Sequence, residues 1–189
     1  MSPTVITPRR LGDDRGWFSE TYNARVLAEH GIVNLFCQDN QSLTRVAGTL
    51  RGLHFQRPPH AQAKLVRCLA GRIFDVAVDV RRGSPTFGQW TGIELSAENG
   101  RQLFIPAGYA HGFLTLEPGC MVGYKVDDFY VAECDTGIIW NDPDIGIEWP
   151  IQGTPQLSPK DETLPRLAAL DVDFGYDGEP LGELRQIET

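Results

Sequence analysis

The sequence predicts an all-β domain, a sandwich or closed barrel, and three observations lead there. Short apolar runs recur through the middle of the chain, each bounded by glycine, proline or asparagine turn signals. Helical periodicity is almost absent. The runs at 63–70 and 73–80 flank Gly71-Arg72 and form the clearest hairpin signal in the chain. At 189 residues and 41% hydrophobic content the chain suits one domain with a substantial core, and no internal repeat or boundary divides it.

Charge narrows the function. A formal net charge of -8 repels polyanions, so neither a nucleic acid polymer nor an anionic membrane is an expected partner. A local arginine cluster can still hold a small anion. No apolar run is long enough to span a bilayer, and Met1-Ser2-Pro3-Thr4 lacks the basic and apolar parts of a signal peptide, so the expected location is cytoplasmic. Cys37, Cys68, Cys120 and Cys134 are widely spaced without a CxxC pair, which suits reduced thiols mostly in the core.

Taken in order, residues 4–22 alternate weakly about a turn at 12–16 and read as a hairpin arm bearing Trp17, Phe18 and Tyr22. Such an arm is costly to leave in water, which favours a second copy of the chain. Asn23 caps a short helix ending at Glu29, Gly31 closes it, and His30 takes a structural or solvent role. Residues 32–42 read as a strand that starts apolar and ends polar, with Gln38 and Asn40 on one face. Those amides by themselves suit a strand end that satisfies backbone groups.

In residues 50–56 the period-two pattern puts Leu53 and Phe55 on one face and Gly52, His54 and Gln56 on the other. Arg51 then points away from His54 unless a bulge at Gly52 re-aims it. His60 falls in an exposed proline loop. In the second hairpin strand Phe74, Val76, Val78 and Val80 share a face opposite Asp75 and Asp79, a face that meets solvent or arginines in an open sheet and the lumen in a barrel. Lys64 opens the first hairpin strand and is bland by itself.

Strands follow at 89–95, 102–106, 107–114 and 121–126, with His111 set between Gly108 and Gly112, the mark of close backbone or ligand approach. Residues 138–150 read as a strand and turn with Trp140 and Trp149. Ser158 caps a short helix with Pro159 at its first position, and residues 171–189 read as acidic and peripheral. The single domain thus divides into an arm at 1–48, a barrel core at 49–150 and an extension at 151–189.

The segments Arg15-Gly16-Trp17-Phe18-Ser19-Glu20, Gln38-Asp39-Asn40, Arg51-Gly52-Leu53-His54-Phe55-Gln56, Gln62-Ala63-Lys64-Leu65-Val66 and Ala110-His111-Gly112-Phe113, with 74–80, 84–88 and 140–143, occur in one order over residues 5–165. Together they resemble the dTDP-4-dehydrorhamnose 3,5-epimerase family. The resemblance implies a cupin-type double-stranded β-helix (jelly-roll) barrel with a few short peripheral helices. It also implies a homodimer that exchanges its N-terminal arms, no cofactor and no metal. The implied reaction inverts dTDP-4-dehydro-6-deoxy-D-glucose at carbons 3 and 5, on the way to dTDP-L-rhamnose.

Both carbons flank a ketone, so loss of either proton gives an enolate, and inversion requires reprotonation from the opposite face. A neutral histidine suits the base and a tyrosine the weak acid. The resemblance makes His54 the base, Tyr124 the donor and Lys64 the positive group at the enolate oxygen. It makes Asp161 the carboxylate that orients His54, with Asp75 as a rival. Arg15 and Arg51 match diphosphate contacts, and Glu20, Gln38, Asn40, His111, Asp135 and Lys160 match further substrate contacts. Asp135 stands where the family often has a glutamate.

Two alternatives remain at this level. One is an epimerase of the same scaffold that inverts a single centre. The other is a metal-dependent cupin or a non-catalytic sugar-binding barrel. Metal cupins want histidines at i and i+2, and here Gln56 takes the second place after His54.

Overall fold

The structure is a computed structural model that describes residues 1–171 and 174–189. The strands are β1 (Thr4–Thr7), β2 (Leu11–Asp13), β3 (Gly16–Phe18), β4 (Gln38–Thr44), β5 (Leu50–Gln56), β6 (Lys64–Ala70), β7 (Arg72–Asp79), β8 (Trp90–Ser96), β9 (Gln102–Ile105), β10 (Tyr109–Thr115), β11 (Cys120–Val126), β12 (Asp135–Gly137) and β13 (Arg185–Glu188). Two short helices, α1 (Ala24–Glu29) and α2 (Pro159–Glu162), lie outside them. A six-stranded sheet in the order β13-β1-β9-β6-β11-β4 packs on a five-stranded sheet in the order β12-β5-β10-β7-β8, while β2 and β3 form a separate hairpin. This is the all-β jelly-roll arrangement, antiparallel except where β1 meets β13.

Alternation decides what each sheet buries. Val5, Val66, Leu103 and Val122 of one sheet meet Ile73, Ala77, Leu95 and Phe113 of the other between the layers. The parity that places Ile73 and Ala77 there also turns Asp75 and Asp79 inward. The opposite face of the five-stranded sheet, with Leu53, Phe55, Val76, Val78 and Val80, is covered by Ile138, Ile145, Leu167 and Phe174 from the C-terminal third. Each fully buried aliphatic side chain contributes about 1.5–3 kcal/mol. Leu27 and Ile32 cover Ile6, Leu65 and Phe104 on the outside of the six-stranded sheet.

One end of the barrel is closed by a buried ion pair. Arg81 donates to Asp79 through Nε at 2.9 Å and Nη2 at 2.8 Å, and Ser84 and Thr86 hydroxyls donate to Asp79 Oδ2 at 2.7 and 2.8 Å. Arg81 also reaches Asp177 Oδ1 at 2.7 Å, tying the C-terminal segment to the barrel. The fork from Arg81 and the two hydroxyls outweigh the burial that disfavours a charge, so the Asp79 carboxyl lies below its usual range.

Several expectations change. Residues 32–37 are not a strand: Ile32 is buried, Val33 and Leu35 are exposed, and pairing begins at Gln38, where β11 becomes available as a partner. In the 138–150 region the strand instead lies earlier, at Asp135–Gly137 against β5. Asp142 then turns the chain by accepting the Asp144 and Leu167 amides at 3.1 and 2.8 Å. The C-terminal segment is not merely peripheral, since Phe174 and Ile187 are buried and β13 extends a sheet. Val172 and Asp173 lie outside the described residues. β1 and β4 are sheet strands, so within the N-terminal stretch the β2–β3 hairpin is the part that projects. Cys68 and Cys120 are buried, whereas Cys37 is exposed and Cys134 half-buried. His60 is not simply exposed, because it pairs with Asp128 at 3.1 Å. Among the described residues no helix is long and apolar enough to cross a membrane.

Candidate active site

A bulge in β5 builds the site. His54 lies opposite His111 and Arg51 opposite Phe113, so Gly52 and Leu53 together face the single residue Gly112. Gly52 adopts φ +130°, and a Cβ there would stand 2.5 Å from Gly112 Cα. Glycine at both places lets the backbones meet. The extra residue cancels the alternation between Arg51 and His54, so both line one cavity of about 280 Å³. The bulge foreseen at Gly52 is therefore present.

The cavity draws on both sheets. Arg51, His54, His111 and Phe113 come from the five-stranded sheet, and Ser42, Lys64 and Tyr124 from the six-stranded one. Helix α2 and its cap close a side with Ser158, Lys160 and Asp161. Ser158 Oγ accepts the Asp161 amide at 3.1 Å, as its capping position predicts, and this first turn aims Asp161 at β5. A second cleft of about 390 Å³ adjoins the first and shares Arg51, Ser158 and Asp161 with it.

His54 Nε2 lies 2.6 Å from Asp161 Oδ1, and the Gly52 amide donates to Asp161 Oδ2 at 3.4 Å. Asp161 is 2% exposed. Burial works against its charge, but the His54 bond, the Gly52 amide and Ser158 outweigh that and hold its carboxyl below the usual range. Since a carboxylate only accepts, His54 carries its proton on Nε2 and keeps a lone pair on Nδ1. Asp75 does not partner His54. Its two oxygens each lie 3.0 Å from His111 Nε2, making a second histidine–carboxylate pair.

Lys64 Nζ donates to the His54 carbonyl at 3.1 Å. Burial drives its ammonium down to about 8, Asp75 and Asp135 pull it back up, and Lys160 pushes it down. Burial likewise lowers His111 despite Asp75, with Lys64 and His54 adding to the effect. Tyr124 is raised by burial, opposed by Arg51 and reinforced by Asp135. Arg51 is held by Thr44, whose Oγ1 accepts its Nε–H at 3.1 Å.

Gln38 and Asn40 share the β4 face that carries Ser42, and Gln38 Nε2 donates to Asn40 Oδ1 at 2.9 Å. Asn40 lies opposite Tyr124 in the register. Arg15 and Glu20 are not brought to this cavity. Arg15 sits at the exposed tip of the β2–β3 hairpin paired with Asp13, and Glu20 accepts from Asn23 Nδ2 at 2.8 Å. Sequence reasoning missed Ser42, Phe113 and Ser158 as wall residues. The parity that selects Asn40 selects Ser42, and the parity of His111 selects Phe113.

Residues 2–169 match the dTDP-4-dehydrorhamnose 3,5-epimerase family. The chain belongs to that family. It is 53% identical over 176 residues to the dTDP-4-dehydrorhamnose 3,5-epimerase of Sinorhizobium fredii, covering 91% of this chain and 88% of the relative. It is similar to the dTDP-4-dehydrorhamnose 3,5-epimerase of Bacillus anthracis, solved with TDP and PPi bound, at 52% identity and TM-score 0.85, covering 87% of this chain and 93% of that one. It is also similar to a Legionella pneumophila dTDP-6-deoxy-D-glucose-3,5-epimerase in complex with dTDP-4-keto-L-rhamnose, at 45% identity and TM-score 0.88, covering 92% and 94%. In this member of the epimerase family Asp135 lies beside Lys160 of the cavity wall. Its Oδ2 accepts from Lys160 Nζ at 2.6 Å and from the Tyr130 hydroxyl at 3.1 Å. Tyr130 had no local sequence signal.

Proposed function

We propose that the chain is an isomerase that epimerises dTDP-4-dehydro-6-deoxy-D-glucose at carbons 3 and 5, giving dTDP-4-dehydro-L-rhamnose for dTDP-L-rhamnose synthesis. The observation that carries the reading is the opposition of His54 and Tyr124. They project into one cavity from different sheets, which suits removal of a proton on one face of a sugar and its return on the other.

In this reading His54 Nδ1 takes the proton from the carbon beside the ketone, and the electron pair moves into the enolate. Asp161 holds the ring and stabilises the imidazolium that forms. The Lys64 ammonium sits where the enolate oxygen develops, and burial strengthens its field there. The Tyr124 hydroxyl then protonates the carbon from the opposite side; the imidazolium gives its proton to water, the tyrosinate takes one back from water, and the cycle repeats at the second carbon. Arg51 offers a guanidinium fork to the diphosphate, with His111, Lys160 and Asp135 on the sugar and Gln38 and Asn40 beyond.

The hairpin supports a homodimer. Trp17 and Phe18 are 58% and 68% exposed, which is costly for an isolated chain, and exchange of hairpins would carry Arg15 and Glu20 to the partner's cavity. The expected site of action is the cytoplasm. The test is to incubate the chain with dTDP-4-dehydro-6-deoxy-D-glucose and trap the product with the reductase of the next step. A trapped L-rhamnose nucleotide is expected. A trapped sugar inverted at one carbon would replace the double epimerase with a single-centre enzyme, and no conversion would overturn the proposal.

A further inference from the structure

Asp75 has no part in the proton transfers described above, yet it is fully buried beside them. It lies on β7 behind His111, is 0% exposed, and both its oxygens stand 3.0 Å from His111 Nε2. A carboxylate in that position accepts the Nε2 proton and leaves the His111 lone pair on Nδ1. His111 is itself 7% exposed and forms part of the cavity wall. Its register partner across the β5–β10 ladder is His54. Two histidines so close cannot both charge cheaply, and the deeper one stays neutral when His54 becomes imidazolium.

Lys64 lines the same cavity as His111, and charged or titratable groups on several elements act on one or both of them. Asp75 comes from β7, Asp135 from β12, Lys160 from α2 and His111 from β10, with the His54 carbonyl from β5. Asp135 is paired with Lys160 at 2.6 Å, whereas Asp75 is buried behind His111 and forms its hydrogen bonds with that ring. Cys68 also faces Asp75, and burial, followed by Cys120, pushes its thiol up to about 11, so it adds no charge. Of the charges that act on the Lys64 ammonium, Asp75 is the one that favours it most.

We propose that Asp75 is a positioning residue of this reaction: from behind the cavity wall it holds His111 as a neutral hydrogen-bond acceptor and supplies the counter-charge that keeps Lys64 an ammonium. The inference rests on the epimerase reading of the cavity given above. In it, His111 Nδ1 accepts a hydrogen bond from a sugar hydroxyl next to the ketone while Lys64 meets the enolate oxygen. One buried carboxylate thereby prepares an acceptor and a cation on the same ligand.

The Asp75→Asn chain tests it. The sequence holds three lysines, Lys64, Lys125 and Lys160, and four histidines, so isotope-labelled Lys and His resonances are few enough to assign. Expected in the native chain are an Nε2–H tautomer for His111 and a Lys64 ammonium that titrates near 8. In D75N the Lys64 titration and the alkaline limb of kcat both move down by about one pH unit, and kcat falls roughly 10- to 100-fold. A folded D75N whose alkaline limb stays in place overturns the proposal, whatever happens to its turnover, because a merely structural carboxylate would give that result. If D75N does not fold, the native chain decides: an Nδ1–H tautomer at His111, or Lys64 titrating with the two surface lysines, overturns the proposal. These resonances need no substrate. Failure of the epimerase reading would instead appear as a native chain that converts no sugar.

Discussion

Lys64 shows how a single residue acquires a function from its surroundings. On a surface it would be an ordinary cation; buried beside the His54 carbonyl, its ammonium is brought down to about 8. The sign of the pH dependence follows. The charged form stabilises the enolate, so activity is present below that value and lost as pH rises through it, and an alkaline limb in kcat near pH 8 is the expected profile. Lys64→Met should flatten that limb and lower kcat by about 100-fold or more. His54→Asn should lower kcat by about 1,000-fold while calorimetry shows dTDP binding within a few-fold of native. Asp161 adds a stability signature of the opposite sense. Its carboxyl is held below the usual range, so its contribution is complete above that range and is lost as pH falls through the folded value. Urea midpoints of the native and D161N chains should therefore converge on going from pH 7 to acid.

At the scale of the element, the bulge between β5 and β10 decides whether the site exists. A methyl group on Gly52 would stand 2.5 Å from Gly112 Cα, at a backbone angle of +130° that only glycine adopts readily. Gly52→Ala should destabilise the chain by about 2 kcal/mol or more and separate Arg51 from His54. Thermal unfolding and turnover of the same preparation would check both effects. Much of this element was legible in the residues: alternation put His54 on the inner face, and Gly52 marked the one place where Arg51 could rejoin it. The choice between Asp161 and Asp75 was not. Asp161 lies 107 positions from His54 and reaches it through a capped four-residue helix, whereas Asp75 lies two strands away from His54, across β10, and meets His111 instead. Proximity of that kind is set by how sheets stack, and no local pattern encodes it. The start of β4 at Gln38 failed for a similar reason, because an apolar run becomes a strand only where a partner edge is free.

Across the whole molecule, stability and chemistry occupy opposite ends of one barrel. The Asp79–Arg81 pair joins β7, the loop after it and the C-terminal segment through Asp177, remote from the residues that line the His54 cavity. Removing Asp79 leaves the buried Arg81 guanidinium with one carboxylate, Asp177, in place of two, so Asp79→Asn should cost about 3 kcal/mol in denaturant unfolding. Turnover of the fraction that stays folded should change little. The exposed hairpin belongs to the same scale: Arg10 lies 4.2 Å over the Trp17 ring, while Phe18 and the charged pair Arg15 and Asp13 stay open to solvent, where a second copy could receive them. The claim on which all of this depends is that one cavity removes a proton on one face of a sugar and returns it on the other. It is tested most directly by incubating the chain with dTDP-4-dehydro-6-deoxy-D-glucose in heavy water and locating the label by NMR. Deuterium at both carbon 3 and carbon 5, absent when His54 is replaced by asparagine, is the result expected; tight binding with no label at either carbon would contradict it.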